Sequence, residues 1–68
     1  MAPPSGTYRC LTSTFPTIFP GTVATWYNNV WTVNGVQYPG GIPGNYSNTP
    51  NGFSWNNGYQ MVTWQKTG

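Results

Sequence analysis

The stretch Val30-Trp31-Thr32-Val33-Asn34-Gly35-Val36-Gln37-Tyr38 decides the fold class. Asn-Gly between two β-branched and aromatic runs is the strongest short-range signal for a two-residue hairpin, because a type I′ turn needs φ > 0 at both central residues. With Asn34 and Gly35 at the turn the register follows: Val33 opposite Val36, Thr32 opposite Gln37, Trp31 opposite Tyr38. Opposed residues share a sheet face. Trp31, Val33, Val36 and Tyr38 are therefore expected on an apolar side, Thr32 and Gln37 on a polar one.

Upstream, residues 22–27 (Thr-Val-Ala-Thr-Trp-Tyr) are rich in β-formers, and Asn28-Asn29 turns them into the hairpin. Downstream, Asn57-Gly58 marks a second hairpin over 53–64. A two-residue turn there puts Phe53, Trp55, Val62 and Trp64 on one face with Gln60 among them; a longer Asn56-Asn57-Gly58 loop shifts the register by one. Between the hairpins, 39–52 is a run of Gly, Pro, Asn and Ser that reads as a long loop. At the start, 1–6 is extended and Pro-rich, and 7–14 forms a short strand with Tyr8, Cys10 and Thr12 on one side. Residues 15–21 repeat Phe-Pro, which removes ladder donors and favours an extended arm. Apolar residues nowhere recur at helical spacing. The expected fold is all-β: a small antiparallel sheet of two hairpins, about 30–38 and 53–64, with an extended Pro/Gly-rich arm and a long loop. Residues 1–21 are the arm with its short strand, and 22–68 the small β domain.

Arg9 and Lys66 are the only charged side chains among 68 residues, 3% of the chain against roughly 25% in ordinary soluble domains. Two cations at opposite ends cannot form the patch that holds a nucleic-acid backbone, so nucleic acid is not an expected partner. Aromatic residues reach 18%, which argues against disorder. No apolar run approaches the roughly 18 residues of a membrane span. Met1-Ala2-Pro3-Pro4-Ser5-Gly6 lacks the basic end and apolar stretch of a signal peptide. The expectation is a chain kept in the cytoplasm or carried inside a larger particle.

General acid–base and nucleophilic chemistry draw on His, Asp, Glu, Lys, Tyr or Cys with tuned pKa values. This chain has no His, no Asp and no Glu, so no triad, carboxylate pair or hard-metal site can be assembled from it. No enzyme activity, cofactor or metal is expected. Cys10 is the single thiol; it reads as a packed apolar group or, alternatively, as an intermolecular thiol. Trp26, Trp31, Trp55 and Tyr59, beside many amides and hydroxyls, are candidates for a sugar-stacking platform. Val36-Gln37-Tyr38, the Gly-rich stretch after it and the late Trp64 resemble small chitin- and cellulose-binding modules, which implies a glycan as an alternative partner.

Ordering cost and hydrophobic return nearly cancel in a chain of this size, and neither disulfide nor metal is available within it. Soluble proteins blunt sheet edges with charge, yet this chain has almost none. Association is therefore expected, with Phe15, Ile18, Phe19, Trp26, Trp55 and Tyr59 as the candidate subunit interface. In general character the whole chain resembles minor structural proteins of bacteriophage particles, capsid decoration (cement) proteins or tail and fibre components. That resemblance implies a virion location and binding to copies of itself or to a major capsid or tail protein. A self-assembling extracellular β fibre is the remaining alternative.

Overall fold

The structure, a computed structural model, describes residues 3–68. Met1 and Ala2, the first residues of the expected arm, lie outside the described residues. Seven strands form one antiparallel sheet: β1 (Gly6–Ser13), β2 (Val23–Tyr27), β3 (Val30–Val33), β4 (Val36–Pro39), β5 (Asn45–Thr49), β6 (Gly52–Asn56) and β7 (Met61–Lys66). Their order across the sheet is β4-β3-β2-β1-β7-β6-β5. The all-β reading holds, but the sheet is larger than two hairpins.

The central hairpin has the expected register, with Trp31 opposite Tyr38, Thr32 opposite Gln37 and Val33 opposite Val36. Asn34 and Gly35 have φ of 54° and 77°, as a type I′ turn requires. Asn28 and Asn29, at 51° and 63°, make the same kind of turn between β2 and β3. One assignment changes here: Val36 sits beside the sheet edge and stays half exposed, while Trp31 and Val33 are buried.

Three other expectations are corrected. The 53–64 hairpin closes through a four-residue loop, 57–60, with Trp55 opposite Val62 and Phe53 opposite Trp64. Relative to a two-residue turn the register moves by two, so Phe53, Trp55, Val62 and Trp64 still share a face, and Gln60 moves into the loop. The Asn57 side chain fixes that loop: its Oδ1 accepts from the N–H groups of Tyr59 and Gln60, and its Nδ2 donates to Gln60 Oε1. Secondly, the long loop 39–52 holds a strand. β5, Asn-Tyr-Ser-Asn-Thr, lacks apolar alternation because it lies at an edge and turns only Tyr46 toward the core. Thirdly, the described part of the expected arm, residues 3–21, is not peripheral. β1 pairs with β2 on one side and β7 on the other; Tyr8 and Cys10 alternate inward along it, and a bulge at Leu11 shifts the register beyond them.

Six successive antiparallel pairings separate β4 from β5, so these two edge strands run in the same direction. Residues 40–44 therefore have to travel back along the sheet to join the end of β4 to the start of β5. Pro39 to Asn45 is six Cα steps, at most about 20 Å, whereas seven strands laid flat would separate the edges by roughly 29 Å. The sheet must curl, and it does so into a half-barrel. The segment 40–44 lies as a strap over the opening: Ile42 packs on the core, and its carbonyl accepts from Tyr46 Oη–H and Trp55 Nε1–H.

Six aromatic residues, Tyr8, Trp26, Trp31, Phe53, Trp55 and Trp64, dominate the inside of the curl, with Cys10, Ile18, Ala24, Val33 and Val62 between them. Trp31 contacts Tyr8, Phe53 and Trp64 edge to face at centroid distances of 5.7, 5.4 and 4.9 Å. Trp26 of β2 stacks on Tyr46 of β5 at 6.1 Å, which ties the two halves of the sheet across the interior. The accessible surface is 4142 Å², close to the roughly 4,200 Å² of a compact monomer of 7.5 kDa. The fold buries what a chain of its mass ordinarily buries.

Candidate interaction surfaces

Of the six residues expected at an interface, the fold claims four for itself. Trp26 and Trp55 are core residues at 2% exposure, because each sits on the inward parity of its strand. Ile18 is buried: the loop 14–22 folds back over one end of the curl and drops Ile18 into it. Phe15 packs edge to face on Trp55 at 5.6 Å. Thr17 C=O accepts from Asn34 Nδ2, which pins this loop to the central hairpin. Phe19 and Tyr59 remain outside, 65% and 95% exposed.

Other exposed apolar side chains lie at the same end of the sheet as those two. Leu11, Val23, Val36 and Met61 are each about half exposed or more. All four stand at or near the strand ends that meet the loop 14–22, the turn 34–35 and the loop 57–60. Met61 is held there by Thr14, whose Oγ1 accepts from the Met61 N–H while its own N–H donates to the Met61 carbonyl. Arg9 lies on the outer face between its cross-strand neighbours Val23 and Gln65, and Lys66 is the last residue of β7. The capped end thus carries six exposed apolar side chains, with Arg9 opposite Val23 as the charge beside them. Among the described residues, Tyr27 is the one exposed large apolar residue at the opposite end. Leu11, Val23 and Met61 are exposed by simple alternation, each opposite in face to a buried neighbour, whereas Val36 has inward parity and is exposed because β4 is an edge strand.

Compared with protein-family models, curated proteins and solved structures, the chain matches none.

The sugar platform loses its ring donors. Trp26, Trp31 and Trp55 are all buried, leaving Tyr59 without a neighbouring indole to extend its face. At the uncapped end an open cleft of about 580 Å³ lies among Pro4, Asn48, Asn51, Gln65 and Lys66. Asn48, Asn51 and Gln65 give its walls amides alongside Pro4, Pro50 and Lys66, and the ring beneath it, Tyr8, is fully buried with its hydroxyl donating to Pro4 C=O. Cys10 is free, 2% exposed, and burial pushes its thiol pKa up. An intermolecular disulfide through Cys10 is therefore closed off in this fold: the sulfur is inside the curl and its nucleophilic thiolate is disfavoured. The hairpin-turn residues Asn34 and Gly35 sit at the turn, and Asn57 and Gly58 in the loop 57–60, as structural elements. The two open sheet edges, β4 and β5, carry no charged side chain.

Proposed function

We propose that the protein is a non-catalytic structural subunit that binds other subunits of a larger assembly. The partners in this reading are copies of itself or a major shell or tail protein. A virus particle, with the chain as a capsid decoration or tail and fibre component, is the setting its composition resembles. The observation that carries the reading is the capped end. Six exposed apolar side chains, Leu11, Phe19, Val23, Val36, Tyr59 and Met61, stand at that end of the sheet, and Arg9, opposite Val23, is the one charge beside them. Clusters of this kind mark interaction surfaces on small soluble folds, and aromatic side chains such as Tyr59 and Phe19 are the usual energetic anchors. Burying such a surface against a partner stabilises both by mass action.

The test is sedimentation velocity of the chain and of the double variant Phe19→Ser/Tyr59→Ser. The wild type is expected to sediment as a concentration-dependent oligomer, or to co-sediment with intact particles of its source, and the double variant to do so far less. A wild type that runs as a single folded species of 7.5 kDa at high concentration, and does not co-purify with particles, overturns the reading.

A further inference from the structure

The two open edges are chemically unequal. Along β5, Thr49 and Gly52 are directly opposed across the turn Pro50-Asn51. Pro50 has no N–H, so the pair Thr49/Gly52 must exchange its own two hydrogen bonds. Bonded and non-bonded pairs then alternate: Ser47/Ser54 and Asn45/Asn56 are bonded, and Tyr46/Trp55 and Asn48/Phe53 are not. The peptide groups of Tyr46 and Asn48 consequently point away from β6, toward the open edge, where no other strand of the sheet lies. Each offers one donor and one acceptor.

The same bookkeeping on β4 gives a poorer edge. The Gly40 N–H donates to Asn29 C=O, one step beyond the opposed pair Val30/Pro39. That makes Val30/Pro39 a non-bonded pair, so Gln37 and Pro39 are the residues turned outward. Pro39 has no donor to give. β4 is blunted by its proline, as edge strands often are; β5 has neither proline nor charge.

We infer that β5 is a homotypic docking edge, on which the β5 strand of a second copy adds antiparallel about a twofold axis through Ser47. This rests on the reading of the chain as an assembly subunit, and names a second copy of it as the partner. Tyr46 of one copy faces Asn48 of the other, and Asn48 faces Tyr46, so the equal numbers of outward donors and acceptors close into four N–H···O bonds. A twofold contact must be self-complementary. This edge is, since each outward residue meets the other kind and no side chain along β5 carries charge. Pairing β5 with β4 would leave Pro39 facing an acceptor that has no donor. The interface is one short strand, so the dimer is weak and concentration-dependent.

Ser47 decides the test, because it is exposed on the outer face of β5 and lies on the proposed axis. Ser47→Lys and Ser47→Glu each place like charges against each other across the axis, and an equimolar mixture places opposite ones there. Self-association measured by sedimentation equilibrium is expected to weaken roughly tenfold or more in each single variant and to recover in the mixture. Asn48→Pro, which removes an outward N–H that no bond within the chain uses, is expected to weaken it as well. Hydrogen exchange supplies an internal control: the Tyr46 and Asn48 amides should slow as concentration rises, while the Ser47 amide, bonded to β6, should not change. If the wild type self-associates and these variants and amides do not respond, the edge is overturned while the capped end stands. If the wild type does not self-associate at any concentration but co-purifies with particles, homotypic docking is overturned and the assembly reading survives. If it does neither, both fall.

Discussion

Gly35 and Gly41 both have φ that L side chains avoid, 77° and 92°, but their surroundings differ. A Cβ on Gly35 would meet nothing, whereas one on Gly41 would meet Tyr46 Oη at 2.6 Å and Trp26 Cη2 at 2.9 Å. Gly35→Ala is expected to cost the left-handed backbone penalty alone, about 1–2 kcal/mol. Gly41→Ala adds displacement of the strap from the Trp26–Tyr46 stack and should cost at least about 1 kcal/mol more. Urea denaturation of both variants checks the order, and equal costs would mean that the strap does not press on those rings. Cys10 makes a second contrast. Its burial predicts negligible alkylation of the folded chain at neutral pH and rapid alkylation in denaturant, which a thiol-reactive reporter reads directly.

The elements show which signals the chain carries in plain sight. Where a strand is buried on one side, as in β3, β6 and β7, bulky residues at alternate positions reveal it, and Asn-Gly reveals the turn of the central hairpin. The strand β5 escaped because an edge strand needs only one inward residue, and Tyr46 alone in an Asn/Ser/Thr run gives no period. The central position of β1 escaped for a different reason: pairing between residues near 7 and near 65 is a long-range choice that local pattern does not encode. Burial of Trp26 and Trp55 was foreseeable from strand parity; composition alone pointed the other way. The loop 57–60 rests on Asn57, which makes three side-chain hydrogen bonds within it. Asn57→Ala is expected to lower stability by about 1–3 kcal/mol, read as a drop in denaturation midpoint with the slope unchanged. A neutral result would mean that the Phe53–Trp64 and Trp55–Val62 pairs hold the register without it.

At the level of the entire fold, the missing acids and imidazoles predict an unusual pH profile. With no Asp, Glu or His in the chain, no side chain of the usual acid-to-neutral titrating kinds is present. Burial raises the pKa of Cys10, Tyr8 and Tyr46. A raised folded pKa means that the unfolded chain ionises first as pH climbs, so the stabilisation is complete below the unfolded values and is lost as pH rises through the folded ones. The denaturation midpoint should therefore stay level from about pH 4 to 8 and fall above about pH 9; Cys10→Ala should remove the earliest part of that fall. A drop on the acid side would contradict the assignment. The geometry of the strap also bears on how the chain finds its shape. The Thr7 N–H donates to Gly68 C=O, and Thr67 N–H to Thr7 C=O, so the two ends of the described chain lie side by side on neighbouring strands. Linking them with a few glycines and opening the backbone between Pro43 and Gly44 would yield a permutant whose strands β5, β6, β7, β1, β2, β3 and β4 follow one another along the chain in their spatial order. Every pairing would then be a local hairpin, and since rates rise as contacts become local, the permutant should refold faster than the parent.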